Sequence, residues 1–157
     1  MHETGRLSFN RIIFDLKAVA PKQVYQALSD IVASDCGLKK DSLLALLNAA
    51  QRKGTAGVGG GVAIAHLQMN RIEKPYLAFA RLSRLIDFEA LDRHPVDLVC
   101  LLLSPRADGV LHLQKLSRLS RMMRDENIVR NLRSVETEDG LRVLLQQQDD
   151  LSHKAAA

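Results

Sequence analysis

The chain has 157 residues, of which 46% are hydrophobic, 25% charged and 4% aromatic, and its formal net charge is +4. This length suits one domain with a sizeable core, and the composition is that of a globular protein. No apolar run approaches the roughly 20 residues of a membrane span, and the N-terminus lacks the apolar block of a signal peptide. We therefore expect one domain over residues 1–157, with its core at about residues 16–145.

The first half of the chain predicts two helices. Apolar residues recur at helical spacing over residues 21–35, with a proline suited to the first turn and Gly37 suited to the exit. A second helix is predicted over residues 42–53, with Asp41 as its N-cap and Gly54 at its end.

Three strands are predicted in the middle of the chain, over residues 62–64, 76–82 and 97–103. The last is a continuous apolar run, which is typical of a strand buried on both faces. It contains Cys100, which we assign to the core. Cys36 lies far from it in sequence, without the spacing of paired metal ligands, so a reducing cytoplasm is the expected location.

The C-terminal third predicts helices over residues 111–124, 128–132 and 141–145, followed by a disordered tail at residues 151–157. Helices and short strands in this order indicate a single α/β domain in which helices flank a small sheet.

Six basic residues give the C-terminal third a local positive charge. Such a cluster suits nucleic acid, an acidic or phosphorylated protein, or a solvated helix face. The lack of stacking aromatic residues beside it argues against nucleic acid. The six are Lys115, Arg118, Arg121, Arg124, Arg130 and Arg133.

Residues 54–66, GTAGVGGGVAIAH, hold five of the nine glycines. Glycine lets backbone N–H groups approach a ligand and cradle an anion such as phosphate. A Walker A loop would end in Gly-Lys-Ser/Thr, but here Lys53 and Thr55 bracket Gly54. A dinucleotide fingerprint would need glycine where Val62 stands. Both nucleotide loops are excluded on spacing, which leaves an anion site or a tight hairpin turn.

Two histidines are candidates for chemistry at an anion site. His66 follows the strand predicted at residues 62–64, and a neutral imidazole is a nucleophile at cytoplasmic pH. His112 opens a predicted helix, whose positive end favours an anion. The alternatives are a polar surface role for His66 and a capping or packing role for His112.

Other catalytic arrangements are not found. The chain has no GxSxG motif and no recognisable Ser-His-Asp set. The remaining histidines have no metal-ligand spacing to one another or to cysteine, so no metal site is expected. They are His2, His94 and His153.

Three ordered motifs resemble those of the enzyme IIA proteins of the bacterial phosphotransferase system, of the fructose/mannitol and especially the nitrogen-related branch. Residues 54–66 are similar to the family segment G-S-T-G-[IV]-G-x-G-[IV]-A-I-P-H. Residues 88–98 are similar to F-x-x-[IL]-D-x-x-P-V-D-L. An apolar strand ending in Pro105 then precedes a helix that opens with His112 and Leu113.

The resemblance implies a mixed β-sheet flanked by helices and a role in phosphoryl transfer. It implies that His66 is the phosphorylated nucleophile and that His112 helps to bind the phosphoryl group. The donor would be an HPr-like phosphocarrier, charged from phosphoenolpyruvate through enzyme I, with no cofactor, metal or nucleotide. The residues implied to line the phosphate pocket are Thr55, Gly59, Gly60 and Gly61.

Three positions depart from the family segment. Ala56 replaces a hydroxyl residue, Ala65 replaces the proline, and Leu67 begins the pair that replaces Gly-Lys. Two hypotheses follow. In the first, the protein is a phosphohistidine carrier that regulates targets such as kinases or ion-transport components. In the second, it is a phosphorylation-dead binding module that docks through the basic helix at residues 112–124.

Overall fold

The computed structural model describes residues 7–156, with side chains as far as Leu151. Five strands and five helices occupy this part of the chain. In chain order they are β1 (Arg11–Leu16), α1 (Pro21–Cys36), α2 (Lys40–Lys53), β2 (Gly57–Gly59), β3 (Val62–Met69), β4 (Tyr76–Ile86), β5 (Val96–Pro105), α3 (Gly109–Arg124), α4 (Glu126–Ser134) and α5 (Glu138–Ala156).

The strands form one mixed sheet in the order β1-β4-β5-β3-β2. β1 runs parallel to β4 and β3 parallel to β5, whereas β4–β5 and β2–β3 are antiparallel. Helices α1 and α2 pack on one face, and α3, α4 and α5 pack on the other. The predicted α/β domain with helices flanking a mixed sheet is therefore confirmed.

The central strand β5 divides the core into two layers. Val99, Leu101 and Leu103 pack with α1 and α2, whereas Leu98 and Cys100 pack with the C-terminal helices. All five are at most 1% exposed. A side-chain period of two on a strand covered on both faces explains the continuous apolar run in the sequence.

The first two helices differ only slightly from the prediction. α1 ends at Cys36, and Gly37 follows it with φ 68° in the left-handed region. α2 begins at Lys40, and no side chain caps it, so the prediction of Asp41 as N-cap is wrong. Asp41 lies inside the first turn, where its negative charge still favours the positive helix end.

The folded part of the chain extends beyond the predicted core at both ends. Leu7 is 1% exposed, and β1, which was not predicted, pairs with β4. At the other end α5 is helical through Ala156, so the prediction of a disordered tail at residues 151–157 is wrong over residues 151–156. Ala155 and Ala156 at its end belong to the residue type with the highest helix propensity, which favours continuation of the helix. Ala157 and His2 lie outside the described residues.

Strand β3 is longer than predicted, and this changes the setting of the candidate nucleophile. It pairs with β5 without interruption from Val62 opposite Leu98 to Met69 opposite Pro105. His66 therefore lies within the strand, opposite Leu102, and not after it.

Gly60 and Gly61 form the turn between Gly59, the last residue of β2, and β3, as the hairpin alternative predicts. Gly59, Gly60 and Gly61 have φ values of 100°, 66° and 81°, which side chains with a Cβ rarely adopt. The Gly60 N–H donates to Asp92 (2.8 Å), and its carbonyl accepts from Arg133 (2.7 Å). The turn is thus held by groups from two other segments.

We expect Gly61→Ala to destabilise the protein more than Gly60→Ala. Alanine at a positive φ costs roughly 1–2 kcal/mol at either position. A Cβ on Gly61 would also lie 2.4 Å from Nη2 of Arg133, whereas a Cβ on Gly60 would meet nothing within 4 Å. Displacing Arg133 from its contacts with Asp97 and Gly60 should add about 1 kcal/mol.

Urea unfolding of the two variants measures this difference. In an Arg133→Ala background the difference between the two glycine variants should become smaller, because only the 3.3 Å contact with the Pro95 carbonyl and the 3.4 Å contact with Asp97 would still crowd a Cβ on Gly61. Equal losses in the presence of Arg133 would contradict the explanation.

Candidate functional site

The structure brings the two candidate histidines together. Nδ1 of His66 lies 3.1 Å from Nε2 of His112, with the ring centroids 5.2 Å apart. His66 is exposed, whereas His112 is only 4% exposed. One imidazole therefore faces solvent while the other supports it from the protein side.

The fold explains why residues so distant in sequence meet here. Because β3 and β5 are parallel, their carboxyl ends reach the same edge of the sheet. The chain leaves β5 at Pro105 and enters α3, whose N-cap Asp108 accepts a hydrogen bond from the Leu111 N–H (3.2 Å). His112 is in the first turn of this helix, beside the face of β3 that carries His66.

Ser104 completes a chain of three side chains, and our sequence reasoning missed it. Its Oγ lies 2.7 Å from Nδ1 of His112, and Ser104 itself is 1% exposed. Ser104 ends the apolar run of β5 and pairs with Gln68, two residues beyond His66. A polar residue closing a buried strand was the available signal.

The environment keeps both imidazoles neutral. Partial burial lowers the pKa of His66. Burial lowers the pKa of His112 as well, and the neighbouring charge of His66 lowers it further. Neutral imidazole is the nucleophilic form, so the site holds a usable nucleophile at pH 7.

This pKa coupling gives a testable pH dependence. In His66→Asn we expect the pKa of His112 to rise, because the like charge is gone, yet to stay below 6.5, because burial is the larger cause. NMR titration of the ring resonances measures it, with the exposed His94→Asn as the control variant. An unchanged pKa of His112 would contradict the coupling.

The same shifts fix the sign of the effect on stability. Since the folded-state pKa values are depressed, the unfolded chain binds protons more readily below about pH 6.5. The contribution of these two groups to the stability of the wild-type protein should therefore decline as the pH falls below that value.

A polar side chain of β3 lies at the start of α3, the helix that carries His112. A Cβ on Gly109, the first residue of α3, would lie 3.6 Å from Nε2 of Gln68, so the Gln68 amide lies beside the start of the helix. The N-terminal turn of a helix has a positive potential and free N–H groups. This edge of the sheet suits a negatively charged group.

The side chain of Thr55 forms its hydrogen bonds with Phe88 and Gly57. Its hydroxyl donates to the Phe88 carbonyl and accepts from the Gly57 N–H (2.9 Å). Phe88 belongs to the core between the sheet and helices α1 and α2. The structure therefore commits Thr55 to the loop before β2 and does not bring it to the histidine pair.

The glycines implied to line the pocket are also remote from the histidines. Gly61 precedes His66 by five residues of extended strand, which corresponds to roughly 16 Å. The Gly60 N–H is already bonded to Asp92. The hairpin turn lies at the other end of β3, so the structure does not bring Gly59, Gly60 and Gly61 to the histidine pair, and their pocket role stays a prediction.

The basic residues of the C-terminal third differ in exposure and in contacts. Lys115 is 9% exposed and lies with His112 on the inner side of α3, whereas Leu113 is 65% exposed. Arg133 binds the carboxylate of Asp97 at 2.9 Å. The docking role of residues 112–124 remains a prediction.

Two absences among residues 7–156 bear on other functions. These residues contain no group of three or more His, Cys, Asp or Glu side chains that could hold a metal ion. No helix among them has the length and hydropathy needed to cross a membrane. Cys100 is fully buried, as predicted, and burial raises its pKa.

Comparison with known proteins identifies the family. Residues 7–148 match the family described as the phosphoenolpyruvate-dependent sugar phosphotransferase system, EIIA 2. A nitrogen regulatory protein of Bradyrhizobium diazoefficiens is 42% identical over 119 residues, covering 76% of this chain and 78% of the relative. A fructose-specific EIIA component of Haloferax volcanii is 38% identical, covering 73% of this chain and 75% of the relative.

Solved structures of related proteins have the same fold as this chain. The nitrogen regulatory protein IIA-Ntr of Neisseria meningitidis has a TM-score of 0.81 at 27% identity, covering 85% of this chain and 92% of that one. The IIA mannitol protein of Escherichia coli shares the fold, with a TM-score of 0.71 at 16% identity over 85% of this chain and 94% of that one. The chain therefore belongs to the EIIA 2 family of the phosphoenolpyruvate-dependent sugar phosphotransferase system.

Proposed function

We propose that this protein carries a phosphoryl group on Nε2 of His66. The observation that supports this choice of atom is the contact between Nδ1 of His66 and Nε2 of His112 at 3.1 Å. Because Nδ1 is occupied by a neighbouring ring, Nε2 is the nitrogen left for an incoming phosphoryl group. The exposed position of His66 allows a partner protein to deliver it.

The donor in this proposal is a phosphohistidine on an HPr-like carrier, which is itself charged from phosphoenolpyruvate through enzyme I. The P–N bond of the carrier breaks as a P–N bond to Nε2 of His66 forms. The proton on Nδ1 stays on the His66 ring, and the Nδ1–H donates a hydrogen bond to Nε2 of His112. This hydrogen bond disperses the positive charge that develops on the His66 ring. Donor and acceptor are both imidazoles, so we propose no cofactor.

The start of α3 supplies the second part of the proposed site. The phosphoryl group carries nearly two negative charges, and the positive end of a helix stabilises an anion placed there. We propose that the first turn of α3 and Gln68 take over the role that the resemblance assigned to the glycine amides.

We further propose that phosphorylation regulates binding to protein targets in the cytoplasm. Several relatives are called nitrogen regulatory proteins. Adding negative charge at an exposed histidine changes which protein surface fits there. Kinases and ion-transport components are the target classes that we would examine.

The departures from the family segment do not favour the phosphorylation-dead alternative. Ala65 and Leu67 keep regular pairing with Leu101 and Leu103 of β5. The ring contact at His66 is intact between them. The strand therefore holds His66 in place without the family proline.

The test is incubation with phosphoenolpyruvate, enzyme I and the HPr-like carrier, followed by intact mass measurement. We expect a gain of one phosphoryl group, and NMR should assign it to Nε2. If the mass does not change under conditions that label another IIA protein, the carrier function is wrong and the binding-module alternative takes its place.

A further inference from the structure

A buried hydroxyl lies behind the histidine pair. Ser104 is 1% exposed at the end of β5, and its Oγ lies 2.7 Å from Nδ1 of His112. The opposite nitrogen of the same ring, Nε2, lies 3.1 Å from Nδ1 of His66. The three side chains thus form one hydrogen-bonded chain that runs from the core to solvent.

The direction of this chain decides whether His66 can act as a nucleophile. A neutral imidazole carries one N–H, so each ring donates at one nitrogen and accepts at the other. If Ser104 donates to Nδ1 of His112, then His112 donates to Nδ1 of His66 and the proton of His66 is on Nε2. If Ser104 accepts, the proton of each imidazole is on Nδ1: His112 donates to Ser104, His66 donates to Nε2 of His112, and Nε2 of His66 has a free lone pair.

We propose that Ser104 is a positioning residue that accepts the Nδ1–H of His112 and so leaves Nε2 of His66 unprotonated. This inference rests on the proposed function, since it explains how Nε2 of His66 becomes reactive. Ser104 touches no phosphoryl group itself and acts through His112.

The packing supports a fixed geometry for this contact. Ser104 is on the central strand, paired with Gln68 of β3. His112 is 4% exposed on the inner side of α3. A buried donor without a partner costs stability, so the ring of His112 is held with Nδ1 towards the hydroxyl.

The experiment compares Ser104→Ala with the wild type by two measurements. The first is the tautomer of His112 in the unphosphorylated protein, from two-bond ¹H–¹⁵N NMR of the ring. The second is the rate of phosphoryl transfer from the carrier. We expect Nδ1-protonated His112 in the wild type, a mixture of tautomers in Ser104→Ala, and a transfer rate lower by roughly threefold to tenfold.

Two variants control this comparison. Ser29 is also 1% exposed, and its hydroxyl has no hydrogen-bond partner in the described part of the chain, so Ser29→Ala removes an equally buried hydroxyl outside the site. Its rate and tautomer should equal those of the wild type. Ser104→Thr keeps a hydroxyl and should keep the Nδ1–H tautomer, and thermal unfolding checks that each variant is folded.

The outcomes separate the two proposals. Nε2-protonated His112 in the wild type, or an unchanged tautomer in folded Ser104→Ala, would overturn the role of Ser104. If the wild type accepts no phosphoryl group, the proposed function fails, and the tautomer measurement still decides the role of Ser104.

Discussion

The His66→Ala variant is expected to gain no phosphoryl group when phosphoenolpyruvate, enzyme I and the HPr-like carrier are supplied. Removing a covalent nucleophile lowers transfer by on the order of a thousandfold or more, because no other group can form the intermediate. His112 cannot replace it, since its ring is 4% exposed and lies behind His66. Intact mass after a timed incubation measures the result.

The matched control for this variant is His94→Ala. His94 is also exposed, but it lies in the turn before β5, where its N–H donates to Asp92 (3.1 Å). This variant should be phosphorylated at the wild-type rate. Labelling of His66→Ala at a comparable rate would mean that the phosphoryl group is carried elsewhere, and peptide mapping would show where.

The helices were predictable from local patterns. α1 and α2 have apolar residues at helical spacing, and the turn after α1 contains a glycine whose φ of 68° the sequence anticipates. β5 was predictable from its apolar run. Each of these signals lies within a single element, so the prediction does not depend on which other elements pack against it.

Elements whose formation depends on residues distant in sequence were predicted less well. β1 reads RIIFDL, which does not alternate, and its identity depends on pairing with β4, some 67 positions away at Arg11 and Ala78. The far half of β3 did have a local signal. His66 and Gln68 alternate with Leu67 and Met69, which is the period of a half-buried strand.

The site, like the fold, was predicted only in part. The resemblance identified His66 and His112, and the structure brings their rings together. The resemblance also assigned the phosphate pocket to Gly59, Gly60 and Gly61, which in the structure lie at the turn between β2 and β3. Glycine content alone does not distinguish a turn from an anion cradle, because both need a positive φ or close backbone approach. Ser104 had a weak local signal as the polar residue that closes a buried strand, but its contact with His112 depends on the packing of α3 against the sheet.

Replacing His112 with alanine is expected to lower the rate of phosphoryl transfer by about a hundredfold without abolishing it. His66 keeps its nucleophilic nitrogen in this variant, but the acceptor for its Nδ1–H is lost. A preorganised hydrogen-bond partner of a group on which charge develops typically contributes about 10²–10³-fold, and solvent can replace it in part at this exposed ring. Stopped incubations analysed by intact mass give the rate.

Two comparisons separate this effect from a general loss of structure. Leu113→Ala changes the next residue of α3, which is 65% exposed, and should leave the rate unchanged. His112→Gln keeps an acceptor near His66 and should recover part of the lost rate, since an amide oxygen can accept the Nδ1–H that the imidazole accepted. If folded His112→Ala transfers as fast as Leu113→Ala, then His112 only packs the start of α3, and the positive end of the helix alone stabilises the phosphoryl group.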